Sequence, residues 1–295
     1  MTKLGKRHTL MVIALTYLVC AIVKYIEFFF IQTEQTFIAD NVICKLWTIL
    51  VLVLALRATK SNFDEIGFAF SSQKNRSTAK ESAGFLGRSP VRYGLFGFAL
   101  GIATFAISYF VEILILRAQG KSVSLAFYVT NFALSGATNS VALSVPALLI
   151  CIAGNIINVV AEEGLFRGLF LHLAEKPFGF RKANFLQAFL FGIWHLVSVA
   201  LELRNGTMTL AVAAVMALGY IVLAGMLALE WGTCVSLTGV LWAGICEHFF
   251  NNFIGNTLHV VTESGTDELQ IARIVLSNVL SLAIVLMLSK KKGKR

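Results

Sequence analysis

The chain has 295 residues, 57% of them apolar and 14% charged, with three prolines; this balance excludes a soluble domain and leaves room for several membrane spans. Its net charge of +9 does not describe a nucleic-acid surface, because the basic residues collect in short clusters at the ends of apolar runs. Five cysteines, Cys20, Cys44, Cys151, Cys234 and Cys246, lie in or beside apolar segments with no C-x-x-C spacing, which predicts free thiols rather than a disulfide framework.

An α-helix needs about 20 apolar residues to cross hydrocarbon. Runs of that kind fall near 9–31, 39–57, 91–116, 141–173, 183–201, 208–229, 234–255 and 269–289. The expected fold is therefore all-α and polytopic, with eight transmembrane helices. The first run follows Lys3, Lys6 and Arg7 but lacks a small-x-small cleavage site, so it reads as a retained span. The fourth is longer than a span requires, and its glycines and Pro146 are expected to kink it. Segment 122–138 is apolar but short and rich in Ser and Thr, which suits an interfacial or re-entrant piece.

Orientation follows from Lys and Arg. The N-terminus, the linker 57–92 with Arg57, Lys60, Lys74, Arg76, Lys80, Arg88 and Arg92, the loop with Lys176, Arg181 and Lys182, and the basic tail from Lys290 all fall on one side of an eight-span chain. The other side holds Arg117, Lys121 and Arg204 with the acids Glu34, Asp40, Glu202, Glu263, Asp267 and Glu268. The expectation is a multi-pass protein with both termini cytoplasmic and the linker lying on anionic lipid. Two pieces are expected: 1–90, two spans and the basic linker, and 91–295, a six-helix core.

Inside the apolar runs the polar residues need partners or a task, since a charge at the bilayer centre costs roughly 2.5–3.5 kcal/mol even on the lenient insertion scale. Glu163 and Arg167 are four apart and share a helix face, so they are expected to pair; Glu162 lies on a different face and is left to point elsewhere. Lys24 and Glu27 are expected to pair on helix 1, and Lys45 to snorkel toward an end of helix 2. His172 and His259 are expected at interfaces, and Asn155 and Asn158 to serve helix packing, with Asn158 one turn before Glu162.

Three residues on separate helices fall at matching depth. Glu162 on helix 4, His195 on helix 5 and His248 on helix 7 lie about 11, 13 and 14 residues from their cytoplasmic ends, or roughly 16–21 Å. His248 and Asn252 are four apart and share a face. A carboxylate, two imidazoles and an amide meet the needs of peptide hydrolysis: a base for water, donors for the oxyanion and a proton for the leaving amine. Glu162, His195 and His248 are also a plausible catalytic zinc set, although H-E-x-x-H is absent. Two other uses remain open, a non-catalytic peptide-binding or immunity protein and a proton- or ion-coupled carrier.

Glu162-Glu163-x-x-x-Arg167, Phe191-x-x-x-His195 and His248-x-x-x-Asn252, in this order on successive apolar helices, resemble the motifs of the CPBP intramembrane proteases, the group of the CAAX prenyl endopeptidases of Rce1 type and the bacterial Abi proteins. The resemblance covers about 141–256, with the core motifs within 139–256, and Asp64-Glu-Ile-Gly-Phe68 resembles a short segment that precedes the core in members. It implies Glu162 as general base, His195 holding the water, His248 and Asn252 stabilising the oxyanion, and Glu163 with Arg167 as a supporting ion pair. It leaves open whether zinc is bound, and it implies a membrane-associated, prenylated or secreted peptide as substrate. The compact length is expected of a bacterial plasma-membrane member rather than one of the endoplasmic reticulum, and for bacterial members the resemblance implies roles such as peptide maturation or bacteriocin immunity.

Overall fold

The computed structural model describes residues 5–31, 33, 38–39, 41–69, 89–130 and 140–293. Of the residues used above for topology, Lys3, Glu34, Asp40, Lys74, Arg76, Lys80, Arg88 and the last of the tail lie outside the described residues.

The chain is a polytopic helical protein. Helices α1 (Lys6–Phe30), α2 (Val42–Thr59), α3 (Pro90–Ala118) and α4 (Val145–Phe178) are followed by α5 (Phe180–Trp194) and α6 (Leu196–Arg204), which together form one apolar stretch. Then come α7 (Leu210–Thr238), α8 (Trp242–Thr257) and α9 (Gln270–Gly293). Among the described residues seven helices are long and apolar enough to cross a membrane: α1, α2, α3, α4, α5 with α6, α7 and α9.

The seventh expected span, 234–255, is not among them. Residues 234–238 complete α7, which Gly239 ends at φ 78°, its N–H donating back to the Val235 carbonyl at 2.8 Å. The helix that follows, α8, has 16 residues and rises only about 24 Å, less than the hydrocarbon thickness. It is also polar, carrying Glu247, His248, Asn251, Asn252 and Asn256, and survives in the bundle because protein surrounds it. Gly97 on α3 lets it come close, for a side chain at that position would collide with the Ala243 carbonyl.

Two further local expectations change. Pro146 starts α4 rather than kinking it, because the first turn has no hydrogen bond for it to break, and Ser144 Oγ accepts the Ala147 N–H there at 3.3 Å. The irregularity of α4 comes later, over Glu163–Phe170, where the turns widen to π-helical spacing. A second short π-helical turn, Asp64–Phe68, packs on that stretch: Ile66 is fully buried, and a side chain at Gly168 would press on it. Segment 122–138 also departs from a re-entrant piece. Its alternating Leu125, Phe127 and Val129 make a strand, β1 (Ser124–Thr130), the centre of a small antiparallel sheet with β2 (Ser140–Ala142) and β3 (Leu258–Val261) in the order β2-β1-β3. Residues 131–139 are not described. Since β3 continues directly from α8, the sheet sits at the C-terminal end of the helix that carries His248.

The largest apolar core gathers α1, α2, the wide turn of α4, α5 and α7, with Phe166, Phe170, Phe191 and Trp231 at its centre. Phe166 meets Phe170, Phe191 and Trp194 edge-on with ring centroids 5.1–5.7 Å apart, the geometry that aromatic quadrupoles favour. This rigid wall is the back of the polar site. All five cysteines are free, as their spacing predicts.

Candidate active site

The wide turn of α4 presents two adjacent carboxylates in opposite directions. Glu163 points back into the core, where its carboxylate lies 3.4 Å from Arg167 Nε, both residues being fully buried. The guanidinium is also pressed against the Phe191 and Trp231 rings, 4.0 and 4.7 Å from their centroids, so aromatic faces supply attraction in place of water. The i,i+4 pair expected from the sequence is therefore present, and it stands behind the cavity rather than in it.

Glu162 points the other way, into a cavity of about 170 Å³ that it shares with His195, His248, Asn252, Asn158 and Tyr220. The structure thus brings together the expected Glu162, His195, His248 and Asn252 around one hollow. His248 Nε2 lies 3.8 Å from Glu162 Oε2, a span that one bridging water closes, while its Nδ1 is 2.9 Å from Glu163 Oε1. A carboxylate can only accept, so Nδ1 carries a proton and the ring is oriented by Glu163. Trp231 stacks on that ring with centroids 4.0 Å apart. His195 occupies the corner between α5 and α6, at φ −90° and ψ −8°, with Nδ1 2.8 Å from the Phe191 carbonyl. Its Nδ1 is therefore also the protonated nitrogen. Asn252 donates to Asn155 Oδ1 at 3.4 Å, and Asn155 donates to the Phe249 carbonyl at 2.9 Å, so Asn155 serves packing of α4 on α8, as expected.

Four residues of the site were not assigned to it from the sequence. Lys45 is buried rather than snorkelling, and its Nζ sits 2.6 Å from Glu162 Oε1. Trp194 Nε1 donates to the same oxygen at 2.8 Å. Lys24 reaches the Trp194 carbonyl at 3.0 Å and covers the Trp194 ring at 4.2 Å. Its expected partner Glu27 caps α2, accepting the Ile43 and Cys44 N–H groups at 3.0 and 2.6 Å, where the positive end of a helix favours an acid. Tyr220 stacks parallel to His195 at 6.2 Å. The usable sequence signal was the cost of Lys24 and Lys45 inside spans, which demanded an anionic or aromatic partner.

His172 and His259 also depart from expectation, since both are buried. His172 lies under Lys176, 3.3 Å from Nζ, and His259 is enclosed by the small sheet. Cys151, Cys234 and Cys246 do not line the cavity.

The donor set meets only part of what zinc requires. Both imidazoles commit Nδ1 to an acceptor, as metal-binding histidines do. Against that, an ammonium 2.6 Å from Glu162 Oε1, joined there by an indole N–H, puts positive charge where the cation would sit and leaves one carboxylate oxygen for it. Among the described residues no three His, Cys, Asp or Glu side chains converge as a metal set. As arranged, these residues do not fit zinc.

No curated protein matches the chain. Residues 144–254 match the family model described as type II CAAX prenyl endopeptidase, Rce1-like. Glu162, Glu163, Arg167, His195, His248 and Asn252 all lie within that segment, whereas Lys24 and Lys45 lie before it. By this match, the segment that carries the site is similar to the type II CAAX prenyl endopeptidases of Rce1 type.

Proposed function

We propose that the protein is an intramembrane endopeptidase that hydrolyses a peptide bond of a membrane-associated peptide with a water activated by Glu162. The observation that carries this reading is the shared cavity in which Glu162 Oε2 and His248 Nε2 face each other at 3.8 Å. A water between them gives its proton to Glu162 as it attacks the scissile carbonyl. His195, on the same cavity wall, orients that water through Nε2. His248, held at Nδ1 by Glu163, faces the developing oxyanion with Nε2, and the Asn252 amide is a neutral donor to it. Glu162 then returns the proton to the leaving amine. The ion pair of Glu163 and Arg167 keeps the His248 ring in register. Since zinc does not fit the donor set, no step runs through a metal.

The family description points to a prenylated C-terminal peptide as one substrate class. In a bacterial plasma membrane the same chemistry serves maturation of short secreted peptides or immunity to a bacteriocin. The test is cleavage of a farnesylated CAAX peptide and its unprenylated twin by protein reconstituted in vesicles, with products identified by mass. Glu162→Gln is expected to abolish cleavage. A Glu162→Gln protein that cleaves like the native one rejects the hydrolytic reading and favours a peptide-sequestering membrane protein.

A further inference from the structure

The family match begins at residue 144, yet the shortest polar contact to Glu162 comes from far upstream, at Lys45 on α2. Both partners are buried, with 4% and 2% of their surface exposed, and both line the cavity. A pair placed only to hold helices together has no reason to face a hollow, and the neighbouring pair of Glu163 and Arg167 indeed does not. The contact is also asymmetric. Lys45 Nζ and Trp194 Nε1 both address Oε1, and Trp194 is itself held by Lys24 from α1 through its carbonyl and its ring. Oε2 is the oxygen turned to His248.

We propose that Lys45 is a positioning residue of the hydrolysis: its ammonium holds Glu162 by Oε1, so that Oε2 alone addresses the water, and it supplies the fixed positive charge beside the carboxylate that a metal ion would otherwise supply. The proposal rests on the hydrolytic reading above. It makes the N-terminal pair of helices a working part of the site, with Lys24 and Trp194 as the brace on the indole side. A base misaligned by one rotamer loses its in-line approach to water, and such small misplacements cost about 100-fold in rate.

The experiment pairs kinetics with a cation titration on the full chain in detergent or vesicles. With the farnesylated peptide, Lys45→Met is expected to lower kcat about 100-fold while KM stays within about threefold, and Lys45→Arg, which keeps the charge, to recover to within about tenfold of the native rate. A merely structural lysine would lower the amount of folded protein, or raise KM and lower kcat together, without charge-specific rescue; that result overturns the proposal. Loss of cleavage in Glu162→Gln together with full activity in Lys45→Met rejects the role of Lys45 and leaves the protease reading standing. Full activity in Glu162→Gln rejects the protease reading itself. Zinc titration decides the point without turnover: Lys45→Met is expected to bind zinc at least about tenfold tighter than the native chain, with the gain removed by adding Glu162→Gln, because the carboxylate is then freed for a divalent cation. Equal zinc affinity with and without Lys45 overturns the proposal even where no peptide is cleaved. Where Lys45→Met does not accumulate, Lys45→Gln takes its place in both arms.

Discussion

Among the described residues, two buried charge clusters differ in what they face: the inner one lines the cavity of Glu162 and the outer one does not. The outer cluster joins α3, α9 and the sheet. Arg273, 1% exposed, forks onto Asp267 at 2.6 and 3.1 Å, reaches Glu112 as well, and lies 4.4 Å over the Tyr109 ring. His259 has the Asp267 carboxylate 3.1 Å from Nδ1 and the Tyr128 carbonyl 3.1 Å from Nε2. With acceptors at both nitrogens the ring is fully engaged, and it also stacks on Tyr128 at 3.9 Å. In the inner cluster, His195 and His248 each spend Nδ1 on a protein acceptor and turn the rest of the ring to the hollow they share with Glu162. A cluster whose charges are spent on one another across elements is a clasp between them. One that leaves a carboxylate oxygen and two imidazoles around a shared hollow is built to receive a reactant.

The contrast is broken most severely at Glu162. Glu162→Gln keeps the shape and two hydrogen-bonding atoms but cannot take a proton, so kcat/KM should fall by about 10³-fold or more, beyond the usual 10²–10⁴ range's lower bound for a general base. The thermal midpoint should fall as well, since Lys45 is left as a buried charge without its counter-ion, although the amide oxygen still accepts from Lys45 and Trp194. Parallel kinetics and unfolding curves check both halves. Arg273→Met should cost stability without costing activity. It strands Glu112 and Asp267 in the interior, a loss of about 3–5 kcal/mol for a broken buried pair, while activity per folded molecule stays near native. Should Arg273→Met abolish cleavage in protein that remains folded, the outer cluster would be more than a clasp.

The same contrast explains what could be read without coordinates. Spans were legible because each is a long apolar run, and the pairing of Glu163 with Arg167 because four residues is one helical turn. Glu162, His195 and His248 stood out as polar residues on separate apolar runs, although the depth expected for His248 rested on a span that the structure splits. The contact of Lys45 with Glu162 spans 117 residues, and no local periodicity links positions so far apart; only the cost of a buried ammonium hinted that a partner existed. The run 234–255 read as a span because composition does not reveal that Gly239 takes a left-handed conformation and splits it. His259 reads as an interfacial residue because the strand that covers it, β1, lies in a segment whose length and Ser/Thr content suit an interfacial piece. Local rules recover elements and adjacent pairs; contacts between distant helices need the packed structure.

The smallest expected effect tests the clasp by acid. Asp267 lies outside the spans, before α9, and its partners are His259 from β3, Arg273 from α9 and, through Arg273, Glu112 and Tyr109 from α3. Burial alone would raise its carboxyl, but the hydrogen bonds from His259 and Arg273 and the charges behind them hold it below the ordinary carboxylate value. A depressed acid stabilises the folded state above its unfolded value, about 3.9, and loses that contribution as the pH falls from there toward the folded value. The melting midpoint of the native chain should therefore exceed that of Asp267→Asn by a constant margin from pH 7 down to about 5, and the margin should shrink below about pH 4 as Asp267 takes up its proton. Intrinsic tryptophan fluorescence on heating in detergent reads it. Two curves that stay parallel down to pH 3 would mean that the carboxylate charge adds nothing to the clasp, and that shape and the neutral hydrogen bonds alone hold the sheet to α9.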